Sequence, residues 1–133
     1  MTPNPKPGLL VGRSVLVADD EADIRSLIVT TFEAMGCTSV LQAADGGEAQ
    51  SALERSVDDL DLVVCDWIMP QLTGLHLLNW TRNRKPDLPF MIVTGMNEVT
   101  SVVDAVASGV TGYVLKPFGP DRLEEKVCEI LKR

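Results

Sequence analysis

The sequence has few cysteines and no long apolar run, and both absences exclude classes of protein. Its three cysteines, Cys37, Cys65 and Cys128, are scattered and odd in number. They are therefore interpreted as buried thiols, not as a disulfide framework or a metal site. No apolar run approaches the roughly 18 residues that a membrane span needs. Residues 1–12 are rich in proline and contain no apolar signal-peptide segment, so we predict a cytoplasmic protein with a mobile N-terminal tail.

Positive charge is also scarce. Lysine and arginine total 12 against 19 aspartates and glutamates, which gives a net charge of −7. This balance argues against direct nucleic-acid binding and against insertion into an anionic membrane.

The single histidine, His76, is interpreted as a surface residue. A length of 133 residues with 45% apolar composition fits one globular domain, predicted over residues 13–133.

Five short apolar runs alternate with amphipathic stretches that have helical period. The runs begin about every 22–28 residues along the chain. They are Ser14–Ala18, Thr38–Ala43, Leu60–Cys65, Leu88–Val93 and Gly112–Leu115. Repeated alternation of strand and helix predicts an α/β fold, with a five-stranded parallel sheet and helices on both faces.

The composition of the runs predicts the order of the strands. The first, third and fourth runs are continuously apolar, as strands buried on both faces should be. The second and fifth runs mix polar and apolar residues, which is typical of edge strands. The flavodoxin-like order 2-1-3-4-5 satisfies both observations, and in such a sheet ligands bind at the carboxyl ends of the strands.

Polar side chains follow the four strands whose carboxyl ends should converge. Asp19 and Asp20 follow the first strand, Asp66 the third, Thr94 the fourth and Lys116 the fifth. Three carboxylates repel one another unless a cation is present, and an oxygen-only set suits Mg²⁺ or Mn²⁺. Aspartate is a competent nucleophile, while a lysine and a hydroxyl can stabilise phosphoryl oxygens. The set predicts phosphoryl transfer to a carboxylate.

The same motifs carry a family resemblance. In order and spacing, "VADDEADIR", "VVCDWIMP", the glycine of "MPQLTG", "MIVTG" and "GYVLKPF" resemble the receiver domains of two-component response regulators, of the single-domain chemotaxis type. The resemblance covers roughly residues 13–133. It implies a signalling switch and not an enzyme, since such a domain catalyses only its own phosphoryl uptake and hydrolysis.

The resemblance implies a role for each residue at the acidic end of the sheet. Asp66 would accept a phosphoryl group from the phosphohistidine of a histidine kinase or phosphotransfer protein. Asp19, Asp20 and Asp66 would hold Mg²⁺, together with the backbone carbonyl of Ile68.

It also implies a mechanism of switching. Thr94 would bind the phosphoryl group and move toward it, and Lys116 would form an ion pair with it. The Lys116–Pro117 peptide bond would be cis. Tyr113 would be the aromatic switch that changes the surface of the fourth helix, fifth strand and fifth helix. Because the chain ends at Arg133, we expect no attached output domain, an unidentified protein target, and a monomer or weak dimer.

Other interpretations of the sequence remain open or are disfavoured. A flavin- or nucleotide-binding module needs a phosphate loop rich in small residues, whereas the loop after the first strand is acidic. A haloacid-dehalogenase-type phosphatase should place its nucleophile after the first strand in a D-x-D pattern, which is absent. A degenerate receiver that acts only as a protein-binding scaffold is the remaining alternative.

Two apolar positions beside the predicted site bear on the lifetime of the phosphoryl group. Ile68 lies two residues after Asp66, and Met96 lies two residues after Thr94. Receivers often have polar residues at these positions. We hypothesise that Ile68 and Met96 do not orient an attacking water, so that hydrolysis is slow.

Overall fold

The structure, a computed structural model, describes residues 8–95, 103 and 105–131. The strands are β1 (Ser14–Ala18), β2 (Ser39–Ala43), β3 (Leu62–Asp66), β4 (Phe90–Gly95) and β5 (Gly112–Lys116). The helices are α1 (Ala22–Ala34), α2 (Gly46–Ser56), α3 (Gly74–Arg84), α4 (103 and 105–107) and α5 (Pro120–Leu131), with a 3-10 turn at Val57–Asp59. Across these described residues, no helix has both the length and the apolar character of a membrane span.

All five strands are parallel and lie in the order β2-β1-β3-β4-β5, so the predicted fold and strand order are confirmed. Every residue of β3 is buried, as are all but one residue each of β1 and β4. The edge strands β2 and β5 each contain only one buried residue, and their other residues are exposed or half-buried. Continuous and mixed apolar runs therefore distinguished central from edge strands correctly.

Two hydrophobic clusters sandwich the sheet, because successive side chains of a strand point to opposite faces. In β1, Val15 and Val17 pack into one cluster, together with residues of α1 and α5. Leu16 and Ala18 pack into the other cluster, with residues of α2 and α3. The helices thus cover both faces of the sheet and leave the strand ends accessible.

Two predicted strands begin later than their apolar runs. Leu60 and Leu88 are buried but lie in turns, where the backbone N–H of Leu60 donates to the Val57 carbonyl and that of Leu88 to the Lys85 carbonyl. These bonds use donors that a strand would need for its ladder. Apolar content alone does not separate a buried turn residue from the first residue of a strand, so both predicted starts were wrong by two residues.

The packed part of the chain begins before the predicted boundary at residue 13. Leu10 is completely buried against the sheet face that α1 covers, and its N–H donates to the carbonyl of Met35 at 3.0 Å. Residues 8–12 are therefore tied to the domain at Leu10. The predicted mobility of residues 1–7 lies outside the described residues.

Candidate functional site

The carboxyl end of β1 places one buried and two exposed carboxylates side by side. Asp19 is fully buried, and its backbone N–H donates to the Ala43 carbonyl of the neighbouring strand β2. Its Oδ1 accepts a hydrogen bond from the N–H of Glu21 at 2.8 Å, and Arg25 donates to its carbonyl at 2.7 Å. Asp20 and Glu21 are exposed at the entrance to α1. Asp19 is thus held rigidly, with two further carboxylates at its side.

Asp66 is the last residue of β3, and only 5% of it is exposed. Its Oδ1 accepts a hydrogen bond from the N–H of Ile68 at 3.4 Å. Helix α3 begins directly against this strand end, since the Gly74 N–H donates to the Trp67 carbonyl at 2.8 Å. A Cβ on Gly74 would lie 2.8 Å from the carbonyl oxygen of Asp66, so the close approach requires glycine.

Lys116 connects these carboxylates from the end of β5. Its Nζ lies 3.0 Å from Asp66 Oδ2, 3.5 Å from Asp19 Oδ2 and 2.7 Å from Glu21 Oε1. The Lys116–Pro117 peptide is cis, as the resemblance implied. Residues separated by 95 positions in the sequence therefore share one crevice at the carboxyl edge of the sheet.

Burial and crowding shift the pKa values of the charged groups. Burial, and then the negative charge of Asp19, raise the pKa of Asp66 from 3.8 to about 6, against the opposing effect of Lys116. Burial also raises the pKa of Asp19. Burial opposes the charge on Lys116, but the hydrogen bonds to Glu21 and Asp66 outweigh it and raise the lysine pKa. Lys116 therefore stays cationic, whereas the buried acids hold their protons more tightly than exposed ones do.

The four acids can each offer an oxygen to one cation. The relevant oxygens of Asp19, Asp20, Glu21 and Asp66 all lie within 4.8 Å of one another. Asp19 Oδ2 is buried and, within the part of the chain that the structure describes, accepts no hydrogen bond, although the Lys116 ammonium lies 3.5 Å away as an ion-pair partner. Hard oxygen donors around a buried carboxylate oxygen of this kind fit Mg²⁺.

Glu21 is the residue that sequence reasoning missed. Reasoning from strand ends covers only the first two residues after β1, whereas Glu21 is the third and immediately precedes α1. The signal was nevertheless present, because Glu21 continues the acidic run that begins at Asp19.

The other predicted residues differ in burial and in their position relative to this crevice. Thr94 is buried near the end of β4, and in the register of β4 with β5 it precedes the residue paired with Lys116. Tyr113 is 36% exposed, with the Lys126 Nζ 5.7 Å from the centre of its ring. Ile68 is 54% exposed beside Asp66. Met96 lies outside the described residues.

The five-stranded parallel sheet with an acidic crevice at its carboxyl edge defines a flavodoxin-like α/β domain, and comparison with known proteins specifies the family. Residues 15–128 match the model of the response regulator receiver domain. The chain therefore belongs to the response regulator receiver family, whose members act as signalling switches.

Individual relatives agree with this assignment over most of their length. The chemotaxis protein CheY of Pseudomonas aeruginosa is 35% identical over 121 residues, covering 90% of this chain and 96% of the relative. A receiver domain protein of Clostridium thermocellum superposes with a TM-score of 0.83 at 26% identity, covering 91% and 95% of the two chains. The chemotaxis response regulator CheY4 of Vibrio cholerae gives 0.80 at 28% identity, covering 89% and 98%.

Proposed function

We propose that this chain is a phosphorylation-controlled response regulator in which Asp66 accepts a phosphoryl group from a phosphohistidine. The observation that carries the proposal is the position of Asp66. Its carboxylate lies 3.0 Å from the ammonium of Lys116, and its oxygens lie among those of Asp19 and Asp20. The donor would be a histidine kinase or a phosphotransfer protein.

Asp66 is favoured over Asp19 as the acceptor because its carboxylate is more accessible. The side chain of Asp19 has no exposed surface, and one of its oxygens already accepts the Glu21 N–H. The side chain of Asp66 is 7% exposed, and its Oδ2 faces Lys116. A nucleophile must reach the phosphorus atom, so a small opening at Asp66 matters more than the rigidity of Asp19.

The donor set supports a magnesium ion at this crevice. Asp19, Asp20 and Asp66 would hold it, together with the backbone carbonyl of Ile68, and Mn²⁺ can take the same oxygen ligands. A bound ion would offset carboxylate charge and would supply Lewis-acid stabilisation to the phosphoryl oxygens. The buried Asp19 Oδ2 supports this site, because it accepts no hydrogen bond from the described residues and its ion pair with Lys116 is long, at 3.5 Å.

The transfer itself exchanges one bond to phosphorus for another. An ionised oxygen of Asp66 forms the P–O bond while the P–N bond of the phosphohistidine breaks, and the imidazole leaves with a proton from water. Lys116 stabilises negative charge on the phosphoryl oxygens, and the Thr94 hydroxyl donates a hydrogen bond to one of them. Hydrolysis of the acyl phosphate would return the chain to its starting state, so the chain catalyses only its own uptake and hydrolysis.

The output would be a change in surface, transmitted from Thr94 to Tyr113. The phosphoryl group adds charge and acceptor oxygens that favour a minor conformation of the domain. Moving a two-state equilibrium from 1:99 to 99:1 takes about 5.5 kcal/mol of differential binding. We propose that the affected surface consists of α4, β5 and α5, where Val103, Val106 and Leu115 are exposed.

The partners follow from this role. We propose an unidentified protein target, without direct binding to nucleic acid or insertion into a membrane, for a protein that is a monomer or weak dimer. The free thiols of Cys37, Cys65 and Cys128 are compatible with a reducing compartment, so we propose that the protein acts in the cytoplasm.

Incubation with Mg²⁺ and acetyl phosphate, followed by intact mass spectrometry, tests the proposal. We expect the wild type to gain the mass of one phosphoryl group, Asp66→Asn to gain none, and chelation of Mg²⁺ to prevent the gain. Asp59→Asn is the matched control, because Asp59 is exposed in the turn before the amino end of β3, whereas Asp66 lies at the carboxyl end of that strand. If small donors and histidine kinases all leave the wild type unmodified, the protein is a scaffold receiver instead.

A further inference from the structure

We infer that Glu21 is a positioning residue that governs which phosphodonors reach Asp66, because it competes with the incoming phosphoryl group for Lys116. The inference rests on the proposed function, since it concerns the rate of the same phosphoryl transfer. Its basis is the contact geometry of Glu21 and the exposure of its side chain.

The shortest ion pair of Lys116 is with Glu21, not with the proposed acceptor. The Nζ–Oε1 distance to Glu21 is 2.7 Å, whereas the distance to Asp66 Oδ2 is 3.0 Å. An ammonium has three N–H donors, and these two hydrogen bonds use two of them. Lys116 Nζ also lies 3.5 Å from Asp19 Oδ2, so the ammonium has little remaining N–H capacity to bind new acceptor oxygens.

The backbone of Glu21 is held in place while its side chain faces solvent. Its N–H donates to Asp19 Oδ1, and Glu21 immediately precedes α1, so its Cα cannot move independently of the crevice. The side chain is nevertheless 58% exposed, against 16% for Lys116. Glu21 thus places a negative charge at the mouth of the crevice, between solvent and the ammonium.

An arriving phosphoryl group meets Glu21 in two ways. Its oxygens need the Lys116 N–H donors that Glu21 holds, and its negative charge approaches a carboxylate oxygen within 4.8 Å of one on Asp66. Both effects oppose uptake, and the second grows with the negative charge of the donor. Glu21 should therefore slow small anionic donors most, and a more highly charged donor more than a less charged one.

Rates of uptake from two small donors of different charge test this inference. Acetyl phosphate is a dianion near neutral pH, whereas phosphoramidate carries one net negative charge. In Glu21→Gln, whose amide oxygen can still accept from Lys116, we expect uptake at low salt to rise roughly tenfold from acetyl phosphate and roughly threefold from phosphoramidate. For both donors, the ratio of the variant rate to the wild-type rate should fall toward one as ionic strength rises, because an exposed charge is screened.

The matched control is Asp23→Asn, which removes the same charge from the exposed first turn of α1. Asp23 is not among the clustered carboxylates, so we expect both rates to change less than twofold. A Mg²⁺ titration followed by the amide NMR signals provides a readout independent of phosphorylation. Glu21→Gln should leave the Mg²⁺ affinity within about threefold of the wild type.

Each other outcome overturns the inference in a recognisable way. Equal changes with both donors, or slower uptake with both, would show that the charge of Glu21 does not select donors. A loss of Mg²⁺ affinity of about tenfold or more would show that Glu21 acts on the metal site instead, as a ligand or as a partner of a ligand. Absence of uptake by the wild type would refute the proposed function and this inference together, whereas the other outcomes refute the inference alone.

Discussion

The two edges of the sheet use charged side chains in opposite ways. At the amino edge, charged groups bind the backbone. Lys85 Nζ donates to three carbonyl oxygens before β3, at distances of 3.0 to 3.2 Å, and Asp61 Oδ2 accepts the Ser14 N–H at the start of β1. Arg82 donates to the carbonyls of Leu88 and Gly109 and to the hydroxyl of Thr111.

At the carboxyl edge, Arg25 also donates to the backbone carbonyl of Asp19, but four charged side chains face one another. Asp19, Glu21 and Asp66 share the ammonium of Lys116, and the pKa values of the two buried acids are raised. The amino edge thus gains stability from its charges, whereas the carboxyl edge holds carboxylates whose ionisation is unfavourable in the absence of a further cation. Charged side chains that hydrogen-bond to the backbone stabilise the fold, whereas the clustered carboxylates can bind a cation or react.

The largest effect on stability should follow the loss of Arg82. Arg82→Met keeps the apolar stem but removes hydrogen bonds that tie α3 to the segments before β4 and β5. We expect it to lower the free energy of unfolding by about 2–4 kcal/mol, measured by urea denaturation. Phosphoryl uptake per folded molecule should be unchanged.

Arg84→Met is the control for that change. Arg84 is 58% exposed, and its nearest carboxylate oxygen, on Asp58, is 4.0 Å away. A surface pair of this kind is worth little, so the free energy of unfolding should change by less than about 0.5 kcal/mol. Equal destabilisation by both variants would contradict a stabilising role for the contacts that Arg82 makes at the amino edge.

Asp66→Asn should have the opposite effect, with gained stability and lost function. Folding raises the pKa of Asp66 from 3.8 to about 6, so its contribution to stability is full below 3.8 and is lost as pH rises through about 6. In metal-free protein at about pH 7.5, we expect Asp66→Asn to exceed the wild type by about 1–3 kcal/mol. The difference should shrink on acidification and on addition of Mg²⁺.

Asp59→Asn, on an exposed turn, should show no comparable pH-dependent gain. Urea denaturation in chelator, repeated across this pH range, measures both variants. A wild type that is more stable than Asp66→Asn at about pH 7.5 without metal would show that Lys116 fully compensates the buried carboxylates.

The smallest expected effect concerns the lifetime of the phosphoryl group. Ile68 is exposed beside Asp66, and an asparagine there could hold the attacking water with a hydrogen bond. We expect Ile68→Asn to speed hydrolysis about 2- to 10-fold, which corresponds to one hydrogen bond of ordinary strength. Mass spectrometry after removal of the donor measures the decay, and Val11→Asn, an equally polar change at an exposed site before β1, should not alter it.

The sequence predicted the carboxyl edge well because parallel strands converge there. Because the apolar and mixed runs predict the strand order, the residues at the carboxyl ends of β1, β3 and β5 are expected at one edge of the sheet. This reasoning placed Asp19, Asp66 and Lys116 together although they come from three strands. The chain-specific roles of these residues remain predictions.

The amino edge was not predictable by the same reasoning. The contacts of Arg82 depend on where a long side chain near the end of α3 extends, and its three acceptors lie 6, 27 and 29 positions away in the sequence. Nothing in local periodicity distinguishes Arg82 from Arg84, which is exposed. Glu21 escaped prediction for a related reason, because its partner depends on side-chain direction and not on strand position.

The buried Leu10 has a practical consequence for anyone who shortens or fuses this protein. A version trimmed to begin at residue 13 would lose an apolar side chain worth about 1.5–3 kcal/mol, together with the cap on the Met35 carbonyl. Reporter domains and affinity handles are therefore better joined ahead of residue 8, where they leave this anchor in place.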